Sequence, residues 1–458
     1  MLSRKGVTFF NREKIRSELV PLNYVQARRL EGPIYCALVK ELYEEGCRIG
    51  ARHLESLAGK ETFFYETKVI RDRVSDNIEL LMALFENMRV AEKVRILEEA
   101  HSYQTTVKCF YQIVQLLEPY KIKFDWLLEH IYDIIIPICE SIEGFNDTIA
   151  DETIARIYFK TAKFHSTREN ALLLAIKFME KAMKLSRNEA WLSEYVTERE
   201  WGVYPTLHLV AGREVADLLL RYANNIAAED SNAADEFAHK AVINLAEVGL
   251  DKNKVQYMRA LLSRAKYLLQ SENYDASYKI LLKVRKELAN SANVIEPKLL
   301  SDLFLYEGMY LWNQNLKRDA LSKMEKALKL AQKSCCKVRE AEALVAIGKA
   351  YAAQTLEQDY ARKAFTLAKQ IFGELGDALN RKKAHYMLAK LKADQIFPCF
   401  IDLLKDDEEK CCGFYNLRQW KNGCKIFWNT MGIAELKEDK IYCLLEDDIK
   451  DTFAWKEN

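Results

Sequence analysis

Residues 308–330, GMYLWNQNLKRDALSKMEKALKL, and residues 348–369, GKAYAAQTLEQDYARKAFTLAK, carry the same pattern. In each, a small residue (Gly308, Gly348) is followed three residues on by a large one (Leu311, Tyr351). A polar break comes next, and then Ala-x3-aromatic or Met-x2-Ala: Ala320, Met324, Ala327 and Ala361, Phe365, Ala368. Positions three and four apart share a helix face, so each block reads as two helices with one apolar stripe apiece. The small residue lets neighbouring helices approach, and the large one fills the space between units. On that reading Gly308 and Gly348 are packing glycines rather than phosphate-loop glycines. A helix interior prefers Ala to Gly by about 1 kcal/mol, so Ala is expected to be tolerated at both.

The pattern extends in both directions. Upstream, Ala265 and Leu268 lead to Ser277, Leu281 and Val284. Ala223 and Ile226 lead to Ala234, Ala238 and Ala241, and Ala175, Met179 and Ala182 repeat the second-helix stripe. Downstream, a last degenerate copy starts at Leu388 and Ala389, and Phe397, Pro398 and Phe400 are expected to interrupt its second helix. The small residues Ala223, Ala265, Gly308, Gly348 and Ala389 lie 42, 43, 40 and 41 residues apart. Regular periods of this length mean a stacked helical array.

The chain of 458 residues holds only 16 Gly and 7 Pro, too few for the many tight turns of an all-β or doubly wound fold. The expected fold is therefore all-α, an α-solenoid. Residues 1–150 are expected to form a helical region that is not visibly periodic, residues 151–405 the repeat array, and residues 406–458 a capping segment and acidic tail. Within the last, Phe414 to Trp428 is aromatic and basic. It is expected to cover the open end of the stack through Trp420, Phe427 and Trp428. The acidic stretch beyond Glu435 is expected outside the core, against Lys349, Lys383 and Lys390.

Charge and motifs exclude several functions. Lys plus Arg is 68 and Asp plus Glu 67, so a general basic field for nucleic acid is absent. No phosphate-binding loop, HExxH, G-x-S-x-G or GxGxxG occurs, and the seven His are scattered. No enzymatic activity, cofactor, metal or small-molecule substrate is expected. The 11 Cys contain no CxxC, and Cys411, Cys412, Cys424 and Cys443 lack zinc-ligand spacing. They read as reduced thiols, many in the core, with Cys335 and Cys336 as packing residues between repeats. No segment has the pattern of a signal peptide or membrane span, so a cytoplasmic protein is expected.

These repeats resemble the tetratricopeptide repeat (TPR), with elongated helices in place of the usual period of about 34 residues. The resemblance implies a right-handed superhelix whose first helices line a protein-binding groove. It places groove positions beside each small residue: Arg259, Leu262, Lys266 and Leu269; Leu305, Met309 and Trp312; Glu342, Val345 and Lys349; and Lys383, Tyr386 and Lys390. The family's chaperone-type carboxylate clamp needs an Asn where this chain has Lys266, Met309 and Lys349, so a chaperone tail is not the expected partner. The groove suits an amphipathic helix or acidic segment. Residues 50–73, GARHLESLAGKETFFYETKVIRDR, also resemble part of the TPR subunit of the outer dynein arm docking complex, through Gly50, Leu54, Phe63, Phe64, Arg71 and Arg73. That implies a scaffold in assembly or docking of axonemal or other cytoskeletal machinery in the cilium. A cytoplasmic adaptor of a signalling or transport complex is a second expectation. An RNA-binding helical repeat is a third, disfavoured by the charge balance.

Overall fold

The computed structural model describes residues 29, 32–97, 102–120, 123–142, 148–194, 205–289, 296–353, 358–405 and 412–423. Among them, seventeen α-helices succeed one another, and the sole β feature is an isolated bridge between Leu192 and Thr206. The chain divides into two compact units, Met1–Ser263 and Arg264–Asn458. No helix among the described residues is long and apolar enough to cross a membrane.

The first unit opens with α1 (Ile34–Glu44), α2 (Arg48–Glu66), α3 (Ile78–Leu97), α4 (Ser102–Leu117) and α5 (Asp125–Ile142). It continues through α6 (Thr148–Ser166), α7 (Leu172–Leu185), α8 (Leu207–Ile226) and α9 (Ser231–Val248). The division then falls within α10 (Leu250–Gln270). Helices α1 with α2, α3 with α4, α6 with α7, and α8 with α9 pack as consecutive pairs, and α7 packs on α8. The non-periodic N-terminal sequence thus builds helix pairs of its own. Two buried acids hold them together. Glu92 of α3 caps the start of α2, accepting from the amides of Ile49 at 2.9 Å and Gly50 at 2.6 Å. Glu61 of α2 accepts from the amides of Val74 and Ser75 (3.1 and 3.3 Å) and the hydroxyls of Ser75 and Tyr35 (both 2.7 Å). Removing an acceptor from buried donors costs about 2–3 kcal/mol. Glu61→Ala is accordingly expected to lower unfolding stability by that amount in a denaturant titration. A change under about 0.5 kcal/mol, the usual surface value, would contradict this role.

The second unit holds α11 (Tyr274–Ala289), α12 (Pro297–Asn313), α13 (Lys317–Lys333), α14 (Lys337–Ala352), α15 (Gln358–Glu374), α16 (Ala378–Lys405) and α17 (Cys412–Gly423). First and second helices pair as α12 with α13 and α14 with α15. Successive repeats join through α11 with α12, α13 with α14, and α15 with α16, and α17 packs on α16. The repeat residues read from the sequence, Ala265, Leu281, Ala320, Met324, Ala327, Ala361, Phe365 and Ala368, are all buried.

How can so few glycines stop so many helices? A residue in the left-handed region ends α10, α12, α13 and α15: Glu272, Asn315, Cys335 and Gly376. In each case the next amide bonds back to the helix, as Asn273 to Leu268 O, Leu316 to Leu311 O, Cys336 to Ala331 O, and Asp377 to Phe372 O, at 2.8–3.0 Å. Three of the four stops use a residue other than Gly. Cys335 is one of these exposed stops, so it is not the packing residue expected from the sequence.

Three further expectations need correction. A Cβ on Gly348 would lie 2.7–3.0 Å from the Phe365 ring. One on Gly308 would lie 2.7 Å from Met324 Cγ and 3.0 Å from the Ala320 carbonyl. Ala is therefore too large at both, because the contact is closer than a helix-propensity argument can register. Second, α16 runs unbroken through Pro398 to Lys405, so Pro398 does not separate two helices. Third, Ala389 is exposed, while Ala384 and Leu391 are the buried positions of α16. Leu391 packs against Ala361 and Phe365. Of the expected cap, Trp420 on α17 remains 42% exposed. Residues 424–458, including Phe427 and Trp428, lie outside the described residues.

Candidate functional site

The first helices of the second unit carry a continuous set of charges. Arg339 of α14 pairs through Nε with Asp302 Oδ1 of α12 at 2.9 Å and through Nη1 with Glu342 Oε2 at 2.6 Å. Lys266 Nζ of α10 approaches Glu342 Oε1 to 3.7 Å, so a side chain of α10 reaches past α12 to α14. Tyr267 and Tyr306 are buried beside these groups. Burial, with the Glu342 charge, pushes Tyr267 up to about 12, and burial with Asp302 raises Tyr306 well beyond the usual phenol range. Burial works against ionisation of Arg339, but Asp302 and Glu342 outweigh it and raise its pKa. Burial likewise opposes the charge on Glu342, yet Lys266 and Arg339 together lower its pKa. The result is a charge-balanced cluster tying three first helices together.

Beyond the cluster the face changes. Lys349 of α14 and Lys383 of α16 are neighbours with like charge, and both are exposed at the surface. Burial of part of the Lys349 side chain, and then repulsion from Lys383, lower its pKa. Tyr386 and Lys390 continue the exposed stripe along α16.

The residues expected to line the groove therefore separate into three groups. Leu262, Leu269 and Leu305 are buried and belong to the helix packing, so they offer no binding surface. Lys266 and Glu342 are committed to each other, and Met309, Trp312 and Val345 are half-buried, with Lys317 lying over the Trp312 ring and Val345 packed on the α15 core. Arg259 is exposed but lies in the first unit. Lys349, Lys383, Tyr386 and Lys390 alone form an exposed set that the structure brings together. Sequence reasoning missed Asp302, Arg339 and Tyr306. Their signal, charged and aromatic residues on otherwise apolar stripes, is visible in the sequence, but the pairing runs between helices and is not.

Residues 50–73 also fall into place by packing. Gly50 and Leu54 are buried, Gly50 facing Glu92, and Phe64 meets Trp126 edge-on at 5.7 Å. Phe63 is exposed, and Arg73 stacks over Tyr65 and pairs with Asp76.

The described helices define an all-α helical-repeat architecture of consecutively packed helices. No protein-family model matches the sequence, and no curated protein matches it. Among solved structures the chain is similar to BtubC (BKLC) from P. vanneervenii, at 13% identity over 54% of this chain and 89% of that one, with a TM-score of 0.34. It is similar to a signal transduction ATPase with numerous domains and a tetratricopeptide repeat sensor from Pyrococcus horikoshii, at 16% identity and a TM-score of 0.34. That match covers 82% of this chain and 54% of the other, so this chain spans about half the length of that protein. It is also similar to a Rap protein complexed with competence and sporulation factor, at 13% identity over 86% of this chain and 96% of that one, TM-score 0.36. The fold assignment rests on the helix pairs described above.

Proposed function

We propose that this chain is a non-catalytic protein-binding scaffold whose partner-facing surface is the first-helix face where it passes from α14 to α16. The observation behind it is the exposed combination of Lys349, Lys383, Tyr386 and Lys390, beside a cluster whose own charges are already balanced. Such a surface suits an acidic, amphipathic protein segment, which brings carboxylates to the lysines and apolar side chains to the tyrosine. Within this class, the resemblance of residues 50–73 supports assembly or docking of axonemal dynein or other cytoskeletal machinery as the process served.

The test compares three measurements on the full chain. It is expected to retain a defined set of proteins from ciliated-tissue extract, most of which Lys383→Glu/Lys390→Glu loses. It is also expected to hydrolyse no ATP or GTP and to show no salt-steep binding to bulk RNA. Hydrolysis abolished by one substitution would establish an enzyme instead. RNA affinity falling steeply with salt would mark phosphate contacts and a nucleic-acid protein.

A further inference from the structure

Helix α16 presents two opposite stripes. Ala384 and Leu391 face the core, Leu391 against Ala361 and Phe365. Leu379, Lys383, Tyr386, Lys390 and Phe397 follow helical spacing on the other side. There Tyr386 is 64%, Leu379 61% and Phe397 59% exposed. Among the described residues no carboxylate pairs with Lys349, Lys383 or Lys390. This stripe is thus apolar and mainly positive, with one exposed carboxylate, Asp394, four residues beyond Lys390.

The chain itself carries the complement. Ile441, Leu444, Leu445 and Ile449 recur at helical spacing, and Glu446, Asp447, Asp448 and Asp451 lie among and beyond them. Residues 424–440 separate this stretch from the end of α17. Fully extended, they span up to about 55–60 Å, against about 42 Å for the whole of α16. The segment can therefore reach any point on that face. A connection of only 17 residues in the same chain also holds it at an effective concentration of about millimolar order, far above that of a second copy in dilute solution.

We propose that residues 441–451 of this same chain dock on the exposed face of α16, with their apolar side chains against Leu379 and Tyr386 and their carboxylates against Lys349, Lys383 and Lys390. A separate partner of like chemistry must then displace this segment, so the contact is autoinhibitory. This inference builds on the reading of the face as protein-binding, but the two fail by different measurements. The scaffold reading fails on hydrolysis or RNA binding, and this one on cross-linking.

The test is zero-length carbodiimide cross-linking of the full chain at micromolar concentration, followed by peptide mapping of the monomer-sized fraction. Links between residues 446–451 and Lys349, Lys383 or Lys390 are expected. High salt should reduce them several-fold, since exposed charge pairs are screened. Leu444→Ser/Leu445→Ser leaves every reactive carboxylate in place and is expected to reduce the links at least fivefold. Links confined to a dimer-sized fraction would assign the face to a second copy and overturn the proposal. So would links spread evenly over all lysines, links indifferent to the leucine substitutions, or no links at all.

Discussion

Gly348→Ala lowers the stability of the second unit instead of raising it. At an uncrowded helix position, Gly to Ala stabilises by about 1 kcal/mol. Here the new methyl would sit 2.7 Å from the Phe365 ring, and that ring is buried among Ala361, Leu391, Val345 and Met387. The ring cannot retreat without disturbing three helices, and overpacking of this kind costs about 1–3 kcal/mol. Gly348→Leu costs more, at the upper end of that range or beyond. Phe365→Leu makes room for the methyl, so the double variant Gly348→Ala/Phe365→Leu is expected to be more stable than the sum of the single changes. A double-mutant cycle reads this coupling directly, and residues in contact couple by about 0.5–3 kcal/mol. Additive behaviour, or stabilisation by Gly348→Ala alone, would show that the two residues are not in contact. The same contact logic ranks the glycines. Gly212 is tightest, its would-be Cβ 2.3 Å from Val248 Cγ2, and it meets a β-branched side chain with little rotamer freedom. Gly308 meets Met324 Cγ at 2.7 Å, near the root of that side chain, and the Ala320 carbonyl lies 3.0 Å away.

Asp302→Asn is expected to destabilise the second unit by breaking a buried ion pair. Asp302 is buried, and Arg339 lies between it and Glu342. Removing one partner of a buried pair leaves the other charge uncompensated, which costs about 3–5 kcal/mol in full burial. Arg339 keeps part of its surface in water, so about 2–3 kcal/mol is expected after that discount. The paired variant Asp302→Asn/Arg339→Gln is expected to recover part of the loss, because it leaves no orphan charge. Thermal or chemical unfolding with all three variants separates the alternatives. A loss no smaller in the double variant would mean that the cluster does not act through charge pairing. The pH dependence carries a definite sign. Glu342 has a folded pKa below its ordinary value, so its stabilising contribution is complete above about pH 4.3, the ordinary Glu value. It is lost as pH falls through the lower folded value.

The sequence showed the pairs α12 with α13 and α14 with α15 because packing in a stacked array is local. Ala320, Met324 and Ala327, or Ala361, Phe365 and Ala368, must recur at fixed spacing if each unit is to bury its stripe against the next. In the first unit the same architecture uses contacts with no fixed spacing, such as Glu92 capping α2 and Glu61 collecting four donors. Nothing in the order of residues announces which carboxylate serves which amide.

The register of α16 is the clearest case of a local signal pointing the wrong way. Ala389 fits the period of the preceding small residues, but Ala384 and Leu391 are the ones buried. Pro398 is a helix breaker by propensity, and here it is accommodated within α16. The candidate face shows the same division. Lysines and tyrosines beside the small residues were legible as first-helix positions. Which of them stay exposed depends on whether a carboxylate on another helix has claimed them: Glu342 claims Lys266, and no described carboxylate claims Lys349, Lys383 or Lys390.

By itself, then, the sequence determined the helical class, the pairing of helices in the array and the stripes that build its core, because these follow from spacing along a single helix. The closeness of Gly348 to Phe365, the Asp302–Arg339–Glu342 cluster and the exposed stripe of α16 were decided only by tertiary structure. Each depends on distances between helices, which spacing along one helix does not specify.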